Sequence, residues 1–164
     1  EKWNVSDGAW SKLVELLSPV VQLAKEEGIM LVVETGNNAM ITSCFLGKKL
    51  IDDLETTHLK VLWDPANALY CGENPSKNAL DSMVGGYLGH VHMKDVEVSI
   101  HQATIKCVAL GEGQMAPHLS IIAERLNDID YKGSMSLESV YRPSGGDFED
   151  GFQASISTFI NLFS

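Results

Sequence analysis

The sequence predicts an α/β fold in which parallel strands alternate with helices. Three observations carry this expectation. Four short apolar runs, at 29–33, 59–63, 88–93 and 134–137, are separated by stretches with apolar residues at helical spacing. The first run is unbroken and partly β-branched, as a strand buried on both faces reads. Each run ends at an ionisable residue: Glu34, Asp64, His92 and Glu138.

Residues 3–5 read as the tail of something preceding them. Ser6 or Asp7 can cap a helix whose apolar face comprises Trp10, Leu13, Val14, Leu16, Leu17, Val20, Val21 and Ala24. Pro19 either kinks that helix or begins a second one with Ser18 as cap. Gly28 fits the C-cap. After the first strand, Gly36-Asn37-Asn38 makes a loop, and 41–54 is helical with Ile41, Phe45, Leu46, Leu50, Ile51 and Leu54 on one side. The second strand, 59–63, is followed by a loop opened by Pro65-Ala66-Asn67 and continued through 72–78. A short helix spans 79–84, and the third strand 88–93. A small strand at 104–110 lies within a long loop ending in Gly111-Glu112-Gly113. Pro117 suits the first turn of a helix running to Leu126. The fourth strand is 134–137. Phe148, Phe152, Ile156, Phe159, Ile160 and Phe163 then recur at spacings of three and four along a final helix. Such alternation implies a parallel sheet with helical crossovers.

The 164 residues suit a single domain, 1–164, and 45% hydrophobic content supports a packed core. A net charge of −10 with scattered basic residues argues against nucleic acid as a partner but is compatible with a bound cation. Cys44, Cys71 and Cys107 form no CxxC pair, which points to a reducing, cytoplasmic setting rather than a disulfide framework. EKWNVSDG lacks a basic-then-apolar signal pattern, and no apolar run approaches membrane-span length. Assembly as a homo-oligomer is left open.

In a parallel sheet all C-terminal strand edges lie at one end. Glu34, Asp64, His92 and Glu138 would converge there as a repulsive cluster that a divalent cation resolves. Singly, each has a plain structural explanation: a helix cap, a turn opener before proline, a solvated strand end. Four polar strand ends out of four favour a site. Oxygen-rich ligation with one nitrogen suits Mn2+, Mg2+ or Co2+ and admits Zn2+. His90 and His92 sit two apart, so both imidazoles face one side of the strand, and Lys94 and Asp95 follow where it ends.

The segments LVVETGNN (31–38), LWDPANAL (62–69), HVHMKD (90–95), GEG (111–113) and SLESVYRP (136–143) resemble the xylose isomerase-like barrels of the sugar-phosphate isomerase/epimerase superfamily. The resemblance implies a (β/α)8 TIM-barrel type, to which this chain supplies the last four β/α units. A whole barrel needs about 250 residues, so the chain is expected to be the C-terminal part of a longer protein. It also implies that Glu34, Asp64, His92 and Glu138 bind the metal and that the two glutamates act as acid and base. Asn67 stands where many members carry histidine; it can bond a sugar hydroxyl but cannot shuttle protons.

The expected activity is isomerisation or epimerisation of a sugar or sugar phosphate. The metal polarises a carbonyl and stabilises an enediolate; one glutamate removes a proton from carbon, and the other returns a proton, on the opposite face for an epimerase. Asn67, His90, Lys94, Asp95 and Arg142 are candidates for substrate contact. Three alternatives are weighed: an inosose-type polyol dehydratase, an endonuclease IV-like phosphodiester hydrolase, and a metal-free binding module.

Overall fold

The computed structural model describes residues 7–75 and 77–164. The expectations for residues 3–5 and Ser6 lie outside them. The order is α1 (Asp7–Glu26), β1 (Leu31–Glu34), α2 (Cys44–Asp53), β2 (Leu59–Trp63), α3 (Pro65–Tyr70), α4 (Lys77–Ser82), β3 (Leu88–Met93), β4 (Asp95–Ser99), β5 (Thr104–Val108), α5 (Ala116–Asp128), β6 (Ser134–Leu137) and α6 (Phe148–Phe163). The four expected strands form one parallel sheet in the order β1-β2-β3-β6, so the α/β class holds. β4 and β5 form a separate antiparallel hairpin.

The sheet is fixed by what its outer face buries. Val61, Trp63, Val91 and Met93 are fully buried under the helices, at about 1.5–3 kcal/mol each. Gly47 of α2 lets that helix close on β2, because a Cβ there would stand 2.7 Å from Val61 Cγ2. Register lines Glu34, Leu62, His90 and Ser134 into one row across the opposite face. Helices cover this face less well, and Val32 is 45% exposed.

Several elements differ from expectation. α1 runs unbroken through Pro19, with the Ser18 hydroxyl donating to the Val14 carbonyl one turn back. Gly28, at φ 66°, ends it as expected. β1 begins at Leu31, leaving Ile29 and Met30 exposed. α2 begins at Cys44, where the Ser43 side chain accepts from Leu46 N–H, and Phe45 points to solvent. Residues 65–70 are a helix, not a loop, and the short helix expected at 79–84 lies earlier, at Lys77–Ser82. β4 went unforeseen; it pairs along its whole length with β5, which stops at Val108.

Candidate metal centre

β1 ends in Glu34, β2 is followed by Asp64, His92 is the penultimate residue of β3, and Glu138 follows β6. Parallel pairing puts these positions at one rim. Glu138 N–H donates to the Met93 carbonyl and Thr35 N–H to the Leu62 carbonyl, carrying the ladders to that end. One donor atom from each of the four side chains lies within 4.8 Å of the others.

Asp64 is fully buried. It caps α3: Oδ1 accepts from Ala66 N–H at 3.0 Å and Asn67 N–H at 2.9 Å. Oδ2 accepts from Asn67 Nδ2 at 2.9 Å and Lys94 Nζ at 2.6 Å. Burial pushes its carboxyl up to about 6, against the pull of the Lys94 ammonium. Thr35, also fully buried, grips the Asp64 backbone from β1: its hydroxyl accepts from Asp64 N–H at 2.9 Å and donates to the Asp64 carbonyl at 3.2 Å. Sequence reasoning missed Thr35. Its only signal was a second polar residue directly after a strand-ending glutamate.

Glu138 receives Lys94 Nζ on Oε2 at 2.6 Å. Burial is the largest single influence and would raise this carboxyl, but the bond to Lys94, the Lys94 charge, His92 and Asp64 together hold the group below the usual carboxylate range. His92 Nδ1 lies 3.5 Å from Glu34 Oε1 and 3.7 Å from Glu138 Oε2. That nitrogen is buried without a hydrogen-bond partner. A histidine nitrogen without a hydrogen-bond partner between two carboxylates, beside a buried aspartate, makes a donor set that could hold a divalent cation. Glu34 is exposed and His92 and Glu138 half-buried, so the cluster opens to solvent.

The other candidate residues are placed differently from one another. Asn67 donates to Asp64 and, at 3.4 Å, to Glu34. His90 shares its strand face with His92, the rings edge to face at 5.2 Å. Its Nε2 lies 2.8 Å from Ser136 Oγ, and burial and then His92 lower its pKa. Lys94 is inside the cluster. Asp95 is not: its buried carboxylate takes the backbone N–H groups of Val96, Gly111, Gly113 and Met115, two on each oxygen. It therefore ties the GEG loop to the end of β3. Arg142 stacks on Phe148 at the start of α6, 3.6 Å from the ring centroid. The surface hollows of about 590 Å³ at the N-terminal ends of the strands and about 290 Å³ between α5 and α6 lie away from the cluster, and nothing in their linings matches its chemistry.

The family described as the xylose isomerase-like TIM barrel matches residues 1–162. No curated protein matches the chain. Among solved structures, D-psicose 3-epimerase with D-tagatose from Clostridium cellulolyticum H10 superposes with TM-score 0.72 at 22% identity, over 96% of this chain and 57% of the other. The probable 3-DHS dehydratase AsbF from Bacillus anthracis gives 0.74 at 16% identity, over 97% and 59%. The IOLI protein with a binding zinc atom gives 0.71 at 17% identity, over 91% and 54%. The chain thus spans about half the length of the structures it matches. Four parallel strands with their polar ends at one rim, and a matching profile over nearly every residue, lead to one conclusion: this chain belongs to the xylose isomerase-like TIM-barrel family.

Proposed function

We propose that the protein is a divalent-metal-dependent isomerase or epimerase of a sugar or sugar phosphate, with this chain as the C-terminal half of its barrel. The observation that carries the reading is the convergence of Glu34, Asp64, His92 and Glu138 at one rim. Similarity to an epimerase and to a zinc-binding barrel supports it. Asp64 Oδ2, His92 Nδ1 and one oxygen from each glutamate would hold the ion. A bound divalent cation would supply Lewis acidity toward a substrate carbonyl and its adjacent hydroxyl.

The chain's own residues do the rest. Glu34 ends β1 and Glu138 directly follows β6, the two opposite edge strands of the sheet, so they can address a carbon between them from two sides. One removes a proton from carbon, leaving an enediolate, and the other, starting protonated, delivers its own proton on the opposite face. Glu138, half-buried where the cluster opens to solvent, suits the base. Asn67 and His90 offer hydrogen bonds to substrate hydroxyls. Thr35 and the α3 cap keep Asp64 fixed while charge moves.

Similarity to a dehydratase favours a second reading, loss of water from a cyclic polyol after the same proton abstraction. Incubation of ketoses and inosose-like polyols with Mn2+ in D2O decides. Deuterium appearing at the carbon beside the carbonyl of an epimerised or isomerised sugar is the expected result. An unsaturated product would replace this reading with the dehydratase. No exchange into any sugar would refute proton transfer.

A further inference from the structure

Asp64 has no acceptor position to spare. A carboxylate offers about four lone-pair sites. Ala66 N–H and Asn67 N–H fill Oδ1, and Asn67 Nδ2 and Lys94 Nζ fill Oδ2. For Asp64 to ligate a cation, one of these four donors must leave. Three come from the first turn of α3, which Asp64 itself caps. Removing either backbone bond would undo the start of that helix. Only Lys94 comes from another element, on a flexible four-carbon stem.

The same ammonium also sits 2.6 Å from Glu138 Oε2. It therefore bridges two of the four candidate ligands, within a group of donor atoms spanning 4.8 Å. An ammonium and a divalent ion placed on the same oxygens repel each other strongly. Lys94 cannot keep both bonds while Asp64 and Glu138 coordinate an ion.

We propose that Lys94 is a built-in competitor of the metal, a place-holding cation between Asp64 and Glu138 that must withdraw from Asp64 Oδ2 before the ion can bind. The inference rests on the metal-centre reading and adds to it a cost that the four donors alone would not impose. Without the ion, the ammonium holds the carboxylates together against their mutual repulsion. With the ion, it is released toward the open side of the cluster. The chain's affinity for metal is thereby set lower than its ligand set would give.

The test is Mn2+ titration of the purified protein by calorimetry, for wild type, Lys94→Met and Lys94→Arg. Lys94→Met should bind Mn2+ about tenfold tighter or more, the scale of one displaced charge-assisted hydrogen bond. Lys94→Arg keeps the charge and should show no such gain. A second measurement needs no variant: acetylation of wild-type lysines read by peptide mass spectrometry. Mn2+ should raise the labelling of Lys94 several-fold relative to Lys12, a solvent-exposed reference. Unchanged or weaker Mn2+ binding by Lys94→Met would overturn the proposal, as would Lys94 labelling that Mn2+ leaves unchanged or lowers. If wild type and Lys94→Met both bind no Mn2+, the metal centre itself falls and this inference with it.

Discussion

Replacing Asp95 with asparagine tests whether that carboxylate is a structural tie or a substrate contact. Each of its oxygens receives two backbone N–H groups, Val96 and Met115 on Oδ1 and Gly111 and Gly113 on Oδ2. Whichever way the asparagine turns, its NH2 must face two of them. Two amides then lose their acceptor, buried on the Val96–Met115 side and part-buried on the Gly111–Gly113 side, at about 1–3 kcal/mol each, so the expected loss is about 3 kcal/mol. For a domain of this size each kcal/mol lowers Tm by about 2–4 °C, which predicts a fall of roughly 10 °C. Thermal unfolding followed by circular dichroism, wild type against Asp95→Asn, measures it. A drop under about 3 °C would mean that the four bonds do not hold the loop. A raised KM with unchanged Tm would return Asp95 to the substrate side.

Glu138→Gln removes the proposed base and one proposed negative ligand: turnover should fall by about 10²–10⁴-fold while Mn2+ still binds, more weakly, and full activity would remove Glu138 from the chemistry. Gly47→Ala forces a Cβ to 2.7 Å from Val61 Cγ2, and should lower stability in urea by about 1–2 kcal/mol despite the better helix former; a stability gain would contradict the tight α2–β2 contact. Burial raises the carboxyl of Glu73, whose Oε1 accepts from Cys44 N–H at the start of α2. The folded state therefore holds that proton more tightly than the unfolded chain. Its contribution to stability is complete below the unfolded pKa and is lost as pH rises through the folded one. Glu73→Gln keeps an acceptor for Cys44 and should flatten that decline in Tm against pH; an unchanged slope would assign the decline to other groups.

The strands were legible because burial on the outer face demands apolar residues and the rim does not, so Trp63–Asp64 and Leu137–Glu138 mark their own boundaries. The helix at Pro65–Tyr70 was not, although an aspartate before proline is a helix start as well as a turn opener. The choice is made by Asp64 Oδ1 reaching two amides, a contact that no local sequence pattern announces. β4 escaped because it follows β3 after Lys94 alone, leaving no turn signal between two strands of different sheets. The four rim residues could be named from strand ends. Lys94 bridging residues 30 and 44 positions away, and Asp95 gathering amides as far along as Met115, depend on packing between distant segments and leave no local pattern.

The most direct measurement is anomalous diffraction from a crystal of the protein soaked in Mn2+. The account predicts one strong peak at the rim, about 2.0–2.4 Å from oxygens of Glu34, Asp64 and Glu138 and from His92 Nδ1, with Lys94 Nζ no longer on Asp64 Oδ2. Bound manganese elsewhere, with those four side chains still turned to one another and to Lys94, would contradict it.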